Sequence, residues 1–247
     1  DTRPPPQSPQ IRERCPQNMF DPILRRFADS HDRTTLKYRH RLVSVEQDSD
    51  GVTAVVSDEA AGEKYTVRAQ YLVGCDGAGS LVRETLGIGM AGEPALTYTT
   101  NVIFRCEGFE DLHPVPRGYR FIFIGPEGTW ATIVAINGRD QWRFSIIRSG
   151  DRREAPPEHE IRAAIERAVG RKFDYELLSV VPWVRRELVA ENYGQGRVLI
   201  AGDSAHVTSP TGGFGMNTGV GDVVDLSWKL DAMLAGWGGA GLLDSYT

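Results

Sequence analysis

The stretch RVLIAGDSAHVTSPTGGFGMNTG, Arg197–Gly219, decides how the rest of the chain is read. Val198–Ile200 has the composition of a short buried strand, and GDSAH begins where that strand ends. In an open α/β sheet, ligands bind just beyond the carboxyl ends of the strands, so Asp203 stands at a binding edge. A carboxylate there is suited to accept hydrogen bonds from sugar-like hydroxyls. Of the five glycines in the stretch, Gly212, Gly213, Gly215 and Gly219 would let backbone come close to a flat or charged group. A helix follows at about Met216, and its free N–H groups favour a partial negative charge by about 0.3–2 kcal/mol. The plain alternative is a glycine-rich turn from strand to helix, with Asp203 as a cap.

Downstream, VGDVVDLSWKLDAMLAG reads as a helix with Val220, Val223, Val224, Leu226, Leu230 and Leu234 as its apolar set. Upstream lies a second motif, YLVGCDGAGSLVRETLGI, Tyr71–Ile88. Asp76-Gly77 follows a strand there, Ser80 is placed to cap a short helix, and Gly87 to end it in a Schellman-like turn. An ordinary strand–turn–helix explains this motif equally well. A third stretch, PQNMFDPIL, sets Gln17 before a helix, where its amide either meets a ligand or is simply exposed.

The rest of the chain alternates between the two periodicities. PQNMFDPILRRFADSH carries Met19, Phe20, Ile23, Leu24 and Phe27 at helical spacing. From Arg41 to Gly77, three β-branched runs separated by DSDG and EAAGE read as a meander whose last strand is Ala69–Gly74. Four strand-like runs between Thr97 and Ile147 suggest a separate antiparallel sheet. APPEHEIRAAIERAVG is an amphipathic helix, with Pro157 near its start and Gly170 at its end. LLSVVPWVRRELVAEN reads as a strand pair. Together these elements predict an α/β chain with an inserted antiparallel layer.

Composition excludes some functions. The 247 residues fit one large domain or two modest ones. Lys plus Arg number 28 against 33 Asp plus Glu, a net charge of −5, so no basic footprint for nucleic acid exists. The most apolar runs are strand-length, which gives no membrane span, and DTRPPPQSPQ is a polar, Pro-rich lead-in without a signal-peptide core. Three cysteines, Cys15, Cys75 and Cys106, show no C-x-x-C spacing, as expected of reduced thiols in a cytoplasmic protein with no metal site.

Taken as a pair, CDGAGSLVR and AGDSAHVTSPTGGFGMNTG resemble the flavoprotein aromatic hydroxylases of the para-hydroxybenzoate hydroxylase type. The resemblance runs from the PQ before the first helix to LLDSYT. It implies an α/β, para-hydroxybenzoate hydroxylase-like FAD-binding fold with an antiparallel substrate-domain sheet. Residues 10–92 and 176–247 would form parts of the FAD-binding domain, and residues 93–175 the substrate-binding sheet. By the same resemblance, Asp203 holds the FAD ribityl chain. Pro210, Gly212, Gly213, Gly215, Met216 and Asn217 wrap the isoalloxazine ring. Asp76 and Gly77 serve FAD and bear on NAD(P)H use, and Gln17 matches a glutamine near the flavin. The implied activity is hydroxylation of a phenolic or polyketide-like aromatic by O₂, through a flavin C4a-hydroperoxide, with FAD as cofactor and NAD(P)H as co-substrate. The cofactor carries that chemistry, so no catalytic side chain is assigned. The Met216–Asn217 amides at a helix start would stabilise the reduced, anionic flavin. His206 is expected as a packed or capping residue and not as a base. Phe121, Phe123, Trp130, Trp142 and Phe144 would wall a ring-shaped substrate or pack a core, and no substrate residue is assigned. A homo-oligomer is left open.

Two departures from the family pattern shape the expectation. No G-x-G-x-x-G strand–helix unit precedes the first helix; GCDGAG and GGFGMNTG follow the wrong pattern. The chain also stops after SYT, so it is expected to be the middle and later part of a longer enzyme, with the N-terminal βαβ unit absent. Phe214 stands where a polar residue is common. A related reductase or epoxidase is the alternative, as is a truncated chain that binds no flavin alone; the W-x-W-x-x-P signature of a halogenase is missing. On this reading the chain purifies colourless or with weak flavin, and an N-terminally extended form is yellow.

Overall fold

A computed structural model describes residues 15–112, 118–126, 128–148, 154–210 and 213–246. The first helix, α1 (Gln17–Asp29), forms where the apolar spacing predicts it, yet none of its residues is buried. Strands β1 (His40–Gln47), β2 (Val52–Asp58) and β3 (Glu63–Ala69) make an antiparallel meander. Its turns are set by aspartates. Asp48 accepts from the backbone N–H of Asp50 and Gly51, and Asp58 from those of Ala60 and Ala61, at 2.8–3.0 Å.

The third predicted run is two strands. The chain breaks after β3, and β4 (Leu72–Gly74) leaves the meander to pair in parallel with β11 (Val198–Ile200), itself flanked by β10 (Gly194–Gln195). Parallel strands need a long crossover, and here everything between residues 75 and 193 supplies it. Helix α2 (Leu81–Thr85) follows β4. Ser80 caps it by accepting from Arg83 N–H at 3.0 Å, and Gly87 and Ile88 close it in a Schellman turn onto Glu84 and Arg83 carbonyls.

The larger sheet has six strands in the order β12-β9-β5-β8-β7-β6 and is antiparallel throughout. It comprises β5 (Met90–Arg105), β6 (Arg120–Gly125), β7 (Gly128–Ala135), β8 (Gln141–Arg148), β9 (Glu176–Ala190) and β12 (His206–Val207). The predicted strand pair at 176–190 is one continuous strand, since Pro182 lacks only the N–H and does not interrupt pairing with β5. Through β9 the sheet runs on past residue 175, and through β5 it begins at residue 90.

Side-chain alternation gives this sheet two unlike faces. Val102, Phe104, Ile133, Trp142 and Phe144 are sealed against α3 (Glu158–Val169), which inserts Ile161 and Ile165. Each such side chain contributes about 1.5–3 kcal/mol on burial. Phe121, Phe123 and Trp130 pack onto the same cluster. All five aromatics are therefore core, and the opposite face is free to form a site.

The last helix, α4 (Gly215–Leu234), starts as predicted but docks on another face. Leu226 is buried, whereas Val220, Val223, Val224 and Leu234 are each more than half exposed. At about 100° per residue, the docked stripe is Gly219, Asp222, Leu226, Lys229 and Ala232. Small and polar residues make that contact, so counting large apolar residues selects the wrong side. None of the described helices is long and apolar enough to cross a membrane.

Candidate functional site

Because β4 and β11 run in parallel, with Gly74 opposite Ile200, the two motifs leave the small sheet at one edge. Ser204 joins them. Its hydroxyl donates to Asp76 Oδ1 at 3.1 Å and accepts from Gly77 N–H at 3.0 Å. Asp76 also accepts from the Ser80 hydroxyl and, at 3.1 Å, from Val82 N–H. Partial burial works to raise its pKa, but the Ser80 hydroxyl, the Val82 N–H and the Ser204 hydroxyl outweigh that and hold the carboxyl below the usual range. Behind this junction Arg83, 7 % exposed, donates from Nη1 to Ser204 O and from Nη2 to Ala78 O, both at 2.9 Å. The guanidinium fork thus fixes one carbonyl from each motif.

A second brace comes from α4. Asp222 Oδ2 accepts from Gly202 N–H at 2.7 Å and lies 2.6 Å from His206 Nε2. Gly219 lets the helix come this close: a Cβ there would sit 3.3 Å from Gly202 Cα. His206 is 4 % exposed, which makes it a packing residue. Held by these contacts, the 202–204 turn presents Asp203 outward. Asp203 caps neither this turn nor α4, and among the described residues its carboxylate has no hydrogen bond or ion pair. An unpartnered carboxylate facing outward from a rigid turn is available to a ligand.

Asp203 stands on the rim of a cleft of about 940 Å³. One wall is the loop into α4, with Pro210, Gly213, Gly215 and Met216. Gly213 has φ +73°, which suits glycine, and its carbonyl accepts from the Asn217 amide at 3.0 Å. The start of α4 has no side-chain cap and no acidic residue in its first turn. Its N–H groups are left to whatever sits in the cleft. The other wall is the non-aromatic face of the six-stranded sheet, where Thr99, Asn101, Thr132, Arg143 and Ser145 point.

The structure thus brings Asp203, Pro210, Gly213, Gly215 and Met216 to one cleft. Asn217 braces the loop from behind, and Asp76 and Gly77 hold the Ser204 junction without lining the cleft. Gln17 is exposed at the start of α1, also outside the lining, and Gly212 lies outside the described residues. Sequence reasoning misses Asp222, Ser204 and Arg83 as organisers. It also misses the polar residues of the sheet, whose only signal is their alternation with the aromatics.

Fold and cleft together define an α/β domain with an open cleft at the carboxyl ends of its parallel strands. The profile of the FAD binding domain family matches residues 5–247, and the chain belongs to that family. Over 238 residues it is 40 % identical to a putative polyketide hydroxylase of Streptomyces coelicolor, covering 94 % of this chain and 37 % of that protein. It is 36 % identical to the tetracenomycin A2 monooxygenase-dioxygenase of Streptomyces glaucescens, covering 94 % of this chain and 43 % of the relative. Aklavinone-11 hydroxylase, solved as a ternary complex with FAD and aklavinone, superposes with a TM-score of 0.88 at 35 % identity, over 97 % of this chain and 45 % of that one. The fold is accordingly the para-hydroxybenzoate hydroxylase-like fold of flavin-dependent monooxygenases. The chain spans less than half the length of these relatives.

Proposed function

We propose that this chain forms the flavin-ring and substrate portion of an FAD-dependent monooxygenase that hydroxylates an aromatic polyketide, using NAD(P)H and O₂. The observation that carries the proposal is the unpartnered Asp203 carboxylate beside the uncapped start of α4, on the rim of one large cleft. These residues fit the flavin: Asp203 would accept from hydroxyls of its ribityl chain, and Pro210, Gly213, Gly215 and Met216 would hold its ring, with Asn217 bracing them. Bound FAD supplies the redox chemistry, taking electrons from NAD(P)H and activating O₂ for transfer of one oxygen atom to the ring. The chain itself binds, orients and excludes water. Met216 and Asn217 N–H groups, at the positive end of α4, favour negative charge on the ring edge facing them. Residues 10–92 and 176–247 serve the flavin and residues 93–175 the substrate, with β9 hydrogen-bonded between them. Asp76 and Gly77 act indirectly, through Ser204.

The test is NAD(P)H oxidation by the full-length, FAD-loaded protein across a panel of polycyclic phenols, with product analysis. Stimulated oxidation coupled to a product one oxygen heavier supports the proposal. A protein that binds no FAD, or oxidises NAD(P)H without any ring hydroxylation across the panel, contradicts it.

A further inference from the structure

Taking the cleft as the site of an aromatic substrate, the reading proposed above, we propose that Asn101, Ser145 and Thr132 select rings oxygenated on alternate carbons, each side chain hydrogen-bonding one oxygen along the ring edge. Strand register sets the three in a row. Asn101 on β5 pairs with Ser145 on β8, and Ser145 pairs with Thr132 on β7. Directly opposed side chains on one sheet face have Cβ atoms about 4.5–5.5 Å apart, so the row spans roughly 10 Å. All three residues line the cleft, on the face turned away from Phe104, Ile133 and Phe144. Val134, beside Arg143, borders the row on one side and Ile147 on the other.

The hydrogen-bonding capacity of the row is only partly used. Ser145 Oγ donates to Asn101 Oδ1 at 2.7 Å. That bond orients the amide: its oxygen is taken, and its Nδ2 hydrogens have no acceptor among the described residues. Asn101 thus offers donors, and Ser145, its hydrogen spent, offers lone pairs. Thr132 offers both, since its hydroxyl makes no hydrogen bond among the described residues and is not sealed from the cleft as the Thr99 hydroxyl is. Hydroxyls that served only the sheet would bond to each other across the strands, and Thr132 and Ser145 do not. Thr132 is 7 % exposed, and a hydroxyl left unmatched at that depth is destabilising until a ligand oxygen meets it. Oxygens on alternate carbons of an aromatic ring stand about one such side-chain spacing apart, roughly 4.5–5 Å, and so meet two neighbouring groups of the row. Oxygens on adjacent carbons stand about 2.7 Å apart, the length of a hydrogen bond between them, so they satisfy each other and leave part of the row unmatched.

The experiment uses the full-length, FAD-loaded protein and two isomeric probes, 1,3-dihydroxynaphthalene and 2,3-dihydroxynaphthalene, alike in apolar area and both uncharged at about pH 7. Binding is followed by perturbation of flavin absorbance, without NAD(P)H. The 1,3-isomer should bind at least about 5-fold more tightly, the worth of one further neutral hydrogen bond. The double variant Asn101→Leu, Thr132→Val, close to the wild type in volume, should bring the two isomers within about 2-fold of each other by weakening the 1,3-isomer. Equal binding of the isomers by the wild-type protein, or preference for the 2,3-isomer, overturns the inference without recourse to any variant. FAD binding and hydroxylation of other phenols would then leave the monooxygenase reading standing. A preference that persists in a double variant still loaded with FAD overturns the assignment to this row. If neither isomer binds while FAD does, both the inference and the placement of the substrate in this cleft are wrong.

Discussion

Ser204 bonds to both halves of the Asp76–Gly77 pair, donating to one and accepting from the other, across 128 and 127 positions of sequence. It is fully buried. Ser204→Ala leaves the Gly77 N–H and one Asp76 lone pair without this partner, at an expected cost of about 1–3 kcal/mol. Urea unfolding measures it. An unchanged midpoint with an unchanged slope would mean that the two motifs are held together by other contacts.

Arg83 supports the same junction from behind. Arg83→Met strands the Ser204 and Ala78 carbonyls and should cost about 2–4 kcal/mol, two buried acceptors losing charged donors. Arg83→Lys should recover at most about half of that, because one ammonium does not reproduce a fork. Thermal unfolding of the pair of variants distinguishes this from a simple loss of charge, for which lysine would restore everything.

Acid stability should report on Asp76. Its folded pKa lies below the ordinary 3.8, so its contribution is fully present above that value and is lost as pH falls through the lower, folded one. Stability should therefore decline below about pH 4. Asp58 and Glu59 are lowered as well, held down by backbone N–H groups and by Arg41 respectively, so the wild-type curve alone does not isolate Asp76. The difference between wild type and Asp76→Asn does. That difference should shrink as the pH drops through this range, and a pH-independent difference would rule out the assigned bonds.

What was legible in the sequence was local. Ser80, Gly87, Pro157 and Gly170 mark helix ends through contacts within a few residues, and the aspartate turns of the meander work the same way. The strand–turn pattern of GDSAH placed Asp203 just past the end of β11 for the same reason. What depended on distant partners was not legible. Nothing at Gln70-Tyr71 announces that β4 changes sheets, because its partner lies more than a hundred residues on. Asp222 looks like an exposed helical acid until Gly202, 20 positions earlier, is found beneath it. The same dependence explains α4, whose docked face is chosen by what it meets, not by its largest side chains.

The central claim is that Asp203 serves a ligand and not the fold. Its carboxylate makes no hydrogen bond or ion pair with a described residue, so Asp203→Ala should leave the stability of the flavin-free protein within about 0.5 kcal/mol of wild type, as for a surface change. The decisive measurement is the FAD dissociation constant of that variant in the full-length protein. Loss of a buried, charge-assisted bond to the ribityl chain should weaken FAD binding about 10-fold or more. An Asp203→Ala protein that retains FAD with wild-type affinity would contradict the account.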